Sequence, residues 1–319
     1  MQASLRKRIM SKIILTIHTP TYNRAHTLPR VYESLKRQTC LDFEWFVTDN
    51  GSTDHTADLF EQWNKEDLPF RIHYHRIEER GLPRALNYGI RHAEGEYIFK
   101  LDSDDELTPD AVAEIIKGIR ETKALEKCVG VGFVRVHRNG MPIKGTWPIT
   151  NQEGFTDCTN LERWKYNLDA DMCEAYRTDI ISRYPFPVWK DELFAPEALC
   201  LDRMALDGYF LRWYNKAIYL CDYLEDGLTA GSWDLLRNNK MGYAMLSNLK
   251  LLTARSKKKQ YKEAAQCIAL SITAGHPSYI FQSNRPWMTL AAFPYGLLLS
   301  LRRRRQFRYD NPPGRSRKQ

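Results

Sequence analysis

The sequence predicts an α/β fold with a mostly parallel central sheet flanked by helices. Up to Val136, short apolar runs of β character alternate with segments whose apolar residues recur at helical spacing. Helix-start signals fall between these runs. Polar segments follow the runs at what would be one rim of the sheet, where such folds bind ligands.

The strand candidates, in order, are Ile13–Ile17, Phe43–Val47, Ile72–His75, Tyr97–Leu101 and Val129–Val136. The first helix is marked by Leu28, Val31 and Leu35, with Thr27 as cap and Pro29 in the first turn. Thr56 to Asn64 carries Leu59, Phe60 and Trp63, and Leu82 to His92 repeats leucine or isoleucine every four residues. Thr108-Pro109-Asp110 starts a helix that continues through Val112, Ile115, Ile116 and Ile119. Asn139-Gly140 reads as a hairpin turn. Aromatic-rich segments follow to about Thr229, then helices from Met241 to Gly275, and a tail whose last ten residues read as disordered.

The rim segments are "HTPTYNR", "TDNGSTD" and "DSDDE". In the first, Pro20 stiffens the strand exit, Tyr22 offers a ring face and Arg24 a charge for phosphate. In the second, Asp49 stands at a strand end, Gly51 permits a tight turn, and Ser52 or Asp54 can cap the next helix. Each alone reads as an ordinary loop. The third places five acids between Asp102 and Asp110 in a chain of formal net charge +8. Carboxylates so crowded repel one another unless a positive group or water intervenes. Asp102 and Asp104 share a side if the strand continues, and hard oxygens suit magnesium or manganese. Glu106 and Asp110 read as a solvated loop capping the next helix.

Taken in order, "TPTYNRAHTLPRVYESLKRQT", "FVTDNGSTD" and "GLPRALNYGIRHAEGEYIFKLDSDDELTPDAV" resemble glycosyltransferase family 2, the inverting nucleotide-sugar transferases of GT-A fold. A looser resemblance runs through "FPVWKDELFAPEALCLDRMAL" to "YLEDGLT", as in members that build bacterial surface polysaccharides. It implies a Rossmann-like nucleotide-sugar half at about 10–137, an acceptor half at about 138–230, and a helical C-terminal extension over 231–319. It implies a UDP-sugar donor, a divalent cofactor (Mn²⁺ or Mg²⁺) and a saccharide or lipid-linked saccharide acceptor. By the same resemblance Thr19, Pro20, Thr21, Tyr22 and Arg24 form the nucleotide loop, and Asp49 binds the base. Asp102 and Ser103 contact nucleotide, and Asp104, with Asp102 and Asp105, binds the metal. "TDNGS" puts Asn50 where an acid is usual, and Arg80 and Arg84 are both candidates for the basic nucleotide contact. The catalytic base falls among Asp191, Glu192, Glu197 and Asp202; Glu197, at a helix start, is preferred and Asp191 is second.

The pI near 9.0 suits acidic partners. Two other readings compete: a nucleotidyltransferase, disfavoured because "HTPTYNRAHT" has no glycine, and a non-enzymatic basic interaction protein. Basic residues cluster in the tail instead of interleaving with aromatics, which argues against nucleic acid. Seven cysteines lack C-x-x-C spacing and read as reduced thiols, so a cytoplasmic location is expected. The basic N-terminus lacks the apolar run of a signal peptide. Trp287 to Leu301 is apolar and followed by Arg302 to Arg305. It suits peripheral attachment to an anionic membrane surface, or equally a buried helix ending in a basic tail.

Overall fold

The computed structural model describes residues 13–221 and 232–309. The basic residues before them, "YLEDGLT" and the last ten residues lie outside this range. The chain divides into two compact units: Met1–Pro185 with Arg203–Asp222, and Phe186–Asp202 with Tyr223–Gln319. Phe186–Asp202, which the sequence reading counts with the first domain, thus groups with the C-terminal helices.

The first unit opens with alternating elements: β1 (Leu15–Thr21), α1 (Leu28–Lys36), β2 (Phe43–Asp49), α2 (Thr56–Trp63), β3 (Arg71–Arg76), α3 (Leu82–His92) and β4 (Tyr97–Lys100). Then come β5 (Glu106–Leu107), α4 (Ala111–Thr122), β6 (Cys128–Val136), β7 (Phe155–Cys158), β8 (Met172–Arg177), the short α5 (Thr178–Ile181) and β9 (Phe210–Leu220). Helix α6 (Ala198–Leu206) precedes β9. The strands form one sheet in the order β3-β2-β1-β4-β8-β6-β9-β5, with β7 on β9. The block β3-β2-β1-β4 is parallel, as the alternation predicts. Strand β8 is antiparallel to β4 and β6, and β9 runs parallel to β6. Helices α1 and α4 bury Leu28, Val31, Leu35, Val112, Ile115 and Ile119 in one core with Trp45, Phe60 and Phe99.

Strand β1 does not stop at Ile17. It continues to Thr21, so Thr19, Pro20 and Thr21 end a buried strand instead of forming a loop. Hydropathy misses this because the polar side chains find partners inside the sheet. His18 Nε2 lies 3.0 Å from Thr48 Oγ1, and Trp45 Nε1 donates to Thr19 Oγ1 at 3.0 Å. Pro20 lies past His18, the last β1 residue that β4 pairs with, so its missing N–H breaks no ladder on that side. Across His18 lies Gly89 of α3, where a Cβ would come within 2.3 Å of the imidazole.

The expected caps are occupied but used differently. Thr27 and Asp110 stand at the N-cap positions of α1 and α4, yet neither side chain caps. Helix α2 is preceded by His55 at the cap position, not by Ser52 or Asp54.

In the second unit, α7 (Ser232–Asn238), α8 (Lys240–Thr253), α9 (Lys257–Thr273) and α10 (Pro286–Gln306) follow. Ala195 and Leu199 pack on Leu246 and Leu249 of α8. Helix α10 lays Ala292 against Leu251, Ala264 and Ile268. The seven cysteines are free thiols.

Candidate functional site

The three rim segments do converge. Asn23, in the left-handed region at φ 53°, donates its N–H to Ser52 Oγ at 2.9 Å and accepts from Thr53 N–H at 2.7 Å. Asp54 accepts from Ala25 N–H at 3.0 Å. Thr27 Oγ1 donates to the Ser103 carbonyl at 2.8 Å. Residues expected to cap helices therefore tie "TYNRAHT" to the turns on either side.

Asp49 is fully buried at the end of β2. Oδ1 accepts from the Ser52 N–H at 2.8 Å and its hydroxyl at 2.6 Å, and Oδ2 accepts from the Tyr74 hydroxyl. A carboxylate offers about four lone-pair positions, so one remains on Oδ2 for a further donor. Burial, then the Asp49 hydrogen bond and charge, push the Tyr74 phenol well above its usual range. Beside Asp49 in the ladder is Thr21, whose buried Oγ1 has no hydrogen-bond partner among the described residues. Asn50 bridges the segments: its N–H donates to the Thr21 carbonyl at 2.8 Å, and its Oδ1 accepts from Gly81 N–H at 3.2 Å. Arg80 sits 3.9 Å over the Tyr22 ring, whereas Arg84 is turned toward Glu79 and the Arg80 carbonyl.

The acidic segment is a turn, not a strand. Strand β4 ends at Lys100, and Asp105 N–H donates to the Asp102 carbonyl at 3.3 Å. The alternation that would set Asp102 beside Asp104 therefore does not apply. The turn instead brings Asp102 and Asp105 to one guanidinium, with Arg135 Nη1 2.9 Å and 3.9 Å from their respective oxygens. Lys100 lies 3.2 Å from the other Asp102 oxygen, and the buried Tyr219 hydroxyl lies 3.1 Å from Asp102 Oδ2 and accepts its N–H at 2.9 Å. Burial alone would raise the Asp102 pKa; Lys100 and Arg135 outweigh it and hold the carboxyl well below the usual range.

The other two acids are pushed the opposite way. Burial, then the Asp102 charge, raise Asp104, with Arg24 and Arg30 partly offsetting. Burial and the charges of Asp102 and Asp104 push Asp105 up to about 7. The expected solvated loop at Glu106 is not found. Glu106 is buried and faces Arg30, Arg37 and Arg138, because β5 stitches it onto β9. Asp110 accepts from Thr108 Oγ1 at 2.6 Å and pairs with Lys216 at 2.7 Å.

Burial and the nearness of Asp102 thus disfavour the charged forms of Asp104 and Asp105, and a hard divalent cation beside them would favour those forms. The acids do not form a three-carboxylate cage. Among the described residues, the group with ligand atoms all within 4.8 Å is Glu44, His73 and Glu94. That group stands at the amino end of β2, the opposite rim of the sheet from Asp49. His73 Nε2 lies 3.3 Å from Glu44 Oε2, so the pair also reads as an ion pair between neighbouring strands. Sequence reasoning missed Lys100, Arg135 and Tyr219. A lone arginine inside the apolar run "VGFVRV" was the available signal for Arg135.

Glu197 and Asp191 belong to the second unit. Glu197 directly precedes α6, and its carbonyl accepts from Cys200 and Leu201 N–H at 2.9 and 3.2 Å, as its expected helix-start position requires. Asp191 is exposed on a left-handed turn at φ 64°. Glu192 is committed to structure, accepting from Met241 and Gly242 N–H at 2.6 and 2.9 Å. Asp202 is buried.

The sequence profile of Glycosyl transferase family 2 matches residues 16–184. Chondroitin synthase of Escherichia coli is 33% identical over 145 residues, which is 45% of this chain and 21% of that protein; the chain spans about a fifth of this relative's length. Among solved structures, S. aureus TarS in complex with UDP-GlcNAc superposes with a TM-score of 0.59 at 17% identity, covering 90% of this chain and 81% of TarS. The mannosyltransferase PcManGT from Pyrobaculum calidifontis, in complex with GDP-Man and Mn²⁺, superposes with a TM-score of 0.51 at 19% identity, covering 94% and 85%. These likenesses show a GT-A fold.

Proposed function

This chain belongs to glycosyltransferase family 2, and from that premise we propose a metal-dependent, inverting transfer of sugar from a UDP-sugar to a hydroxyl acceptor. The observation that carries the reading is the acid turn at the β4 end, where Asp102 and Asp105 share the Arg135 guanidinium and Asp104 lies between them in sequence. TarS with UDP-GlcNAc supports a uridine donor; PcManGT with GDP-Man and Mn²⁺ supports a metal.

Asp104 holds the cation, with Asp105 beside it and Asp102 fixed by Arg135 as the turn's anchor. When bound, a divalent ion supplies Lewis-acid stabilisation of charge on a departing nucleoside diphosphate. Thr21, Tyr22 and Asn50 line the base side with Asp49 beneath, and Arg80, stacked on Tyr22, is the basic contact. Arg24, near Asp104, meets phosphate. The acceptor hydroxyl is a weak nucleophile, and Glu197 takes its proton, with Asp191 as the second candidate. The acceptor is a saccharide or lipid-linked saccharide of a cell-surface polysaccharide, handled at the cytoplasmic face of the membrane. The domain arrangement in this proposal is a GT-A body to about residue 230 with a helical extension.

The test is slow donor hydrolysis. Nucleoside diphosphate release is measured from a panel of UDP- and GDP-sugars in Mn²⁺ and in EDTA. Release of UDP in Mn²⁺ only is expected. Equal release in EDTA removes the metal, and a preference for GDP-sugars removes the uridine assignment.

A further inference from the structure

Helix α10 has two opposite faces of different character. One face carries Thr289, Ala292, Gly296 and Ser300 and is buried. A Cβ on Gly296 would come 2.7 Å from Ile268 Cβ, so small residues let α10 lie close on α9. The other face repeats at the same helical step but is large, apolar and exposed. It comprises Trp287, Leu290, Leu297, Leu298 and Leu301, with Trp287 83% and Leu298 65% exposed. Phe281, just before the helix, is 92% exposed. The stripe does not fade into neutral surface. It runs into exposed Arg302, Arg304 and Arg305, and a surface groove is lined by Leu298, Leu301, Arg302, Arg305, Gln306 and Tyr309.

We infer that the outer face of α10 is an in-plane docking surface for an anionic phospholipid bilayer, with lipid phosphate received where Leu298 and Leu301 meet Arg302 and Arg305. This deepens the membrane part of the reading above by naming the surface, and it does not depend on the donor. The occupant follows from charge and shape together. Contiguous exposed apolar area of this kind marks an interaction site. An aromatic and leucine face ending in arginines matches the acyl–headgroup boundary of a negatively charged leaflet. Among the described residues no helix is long and apolar enough to cross a membrane, so the helix lies along the surface.

The experiment is vesicle flotation of the full chain with phosphatidylcholine alone and with added phosphatidylglycerol, at low and high salt. Binding to the anionic vesicles, weakened by salt, is expected. Arg302→Gln with Arg305→Gln should weaken the partition by roughly 30-fold. Leu298→Glu should abolish it. Gel filtration of the same samples follows self-association, and UDP release reports whether the donor half is folded. Failure to float with intact UDP release overturns the membrane surface but leaves the transferase reading standing. Equal binding to neutral and anionic vesicles overturns the phosphate role. A dimer that Leu298→Glu dissociates, without vesicle binding, overturns the proposal in favour of a second copy of the chain.

Discussion

Arg135 Nη1 lies 2.9 Å from Asp102 Oδ2, so a β6 side chain fixes the acidic turn that follows β4. The same guanidinium packs 4.2 Å over the Tyr219 ring and donates from Nε to the Met172 carbonyl at 2.8 Å. One residue therefore ties β4, β8 and β9 together through a charge. Arg135→Gln removes the cation shared by half-buried Asp102 and buried Asp105. Urea denaturation should show a loss of about 3–5 kcal/mol, the usual cost of breaking a buried pair. A loss within the range of surface substitutions would mean that water, not Arg135, balances the acids.

Asp104 should behave differently from Asp102 although only Ser103 separates them. Asp102 is anchored by Lys100, Arg135 and Tyr219, so Asp102→Asn is expected to reduce stability as well as nucleotide binding. For Asp104, burial and the Asp102 charge raise its pKa, and its carboxylate is the one assigned to the ion. Asp104→Asn should leave the fold intact and remove most of the Mn²⁺ dependence of UDP binding. Calorimetry in Mn²⁺ and in EDTA checks this. Identical binding in both media for the unsubstituted protein would refute the metal assignment.

His18 sets an acid limit on stability. Burial first, then the Lys100 charge, lower its pKa from 6.5 to about 3. The unfolded chain takes up a proton on this imidazole below about pH 6.5, and the folded chain does not until about pH 3. Stability is thus complete above pH 6.5 and is lost as pH falls toward 3. The loss from this group amounts to about 3 kcal/mol by pH 4. His18→Gln should narrow the difference in unfolding free energy between pH 7.5 and pH 4 by that amount. An unchanged difference would assign the acid limb to other groups.

The parts of the fold visible in the sequence are those where side-chain chemistry and burial agree. Helices α1 and α4 show Leu28, Val31, Leu35 and Val112, Ile115, Ile119 at helical spacing because one face of each meets the core. The end of β1 does not show, because His18 and Thr19 are buried as hydrogen-bonded polar groups. Strands β8 and β9 stay hidden for a related reason. Arg212, Trp213 and Tyr214 are neighbours in β9, with Arg212 paired to Asp157 and the Trp213 indole fully buried, so no simple alternation survives. The candidate site divides the same way. Its acids are local in sequence and legible, whereas Arg135 and Tyr219 reach them from far along the chain.

Glu197 is the remaining assignment to test. Its main chain starts α6, so its position does not depend on what its carboxylate does. Glu192, five residues earlier, is excluded as base because its carboxylate already holds two backbone N–H groups of α8. Asp191 is exposed on a left-handed turn. Glu197→Gln preserves size and hydrogen bonding but cannot accept a proton. Transfer to the acceptor should fall by roughly 10²–10⁴-fold. UDP affinity should stay near its original value, because the donor residues belong to the first unit. The paired variant Asp191→Asn should transfer normally. If Asp191→Asn abolishes transfer while Glu197→Gln remains active, the proton goes to Asp191. If both remain active, the base is neither Glu197 nor Asp191.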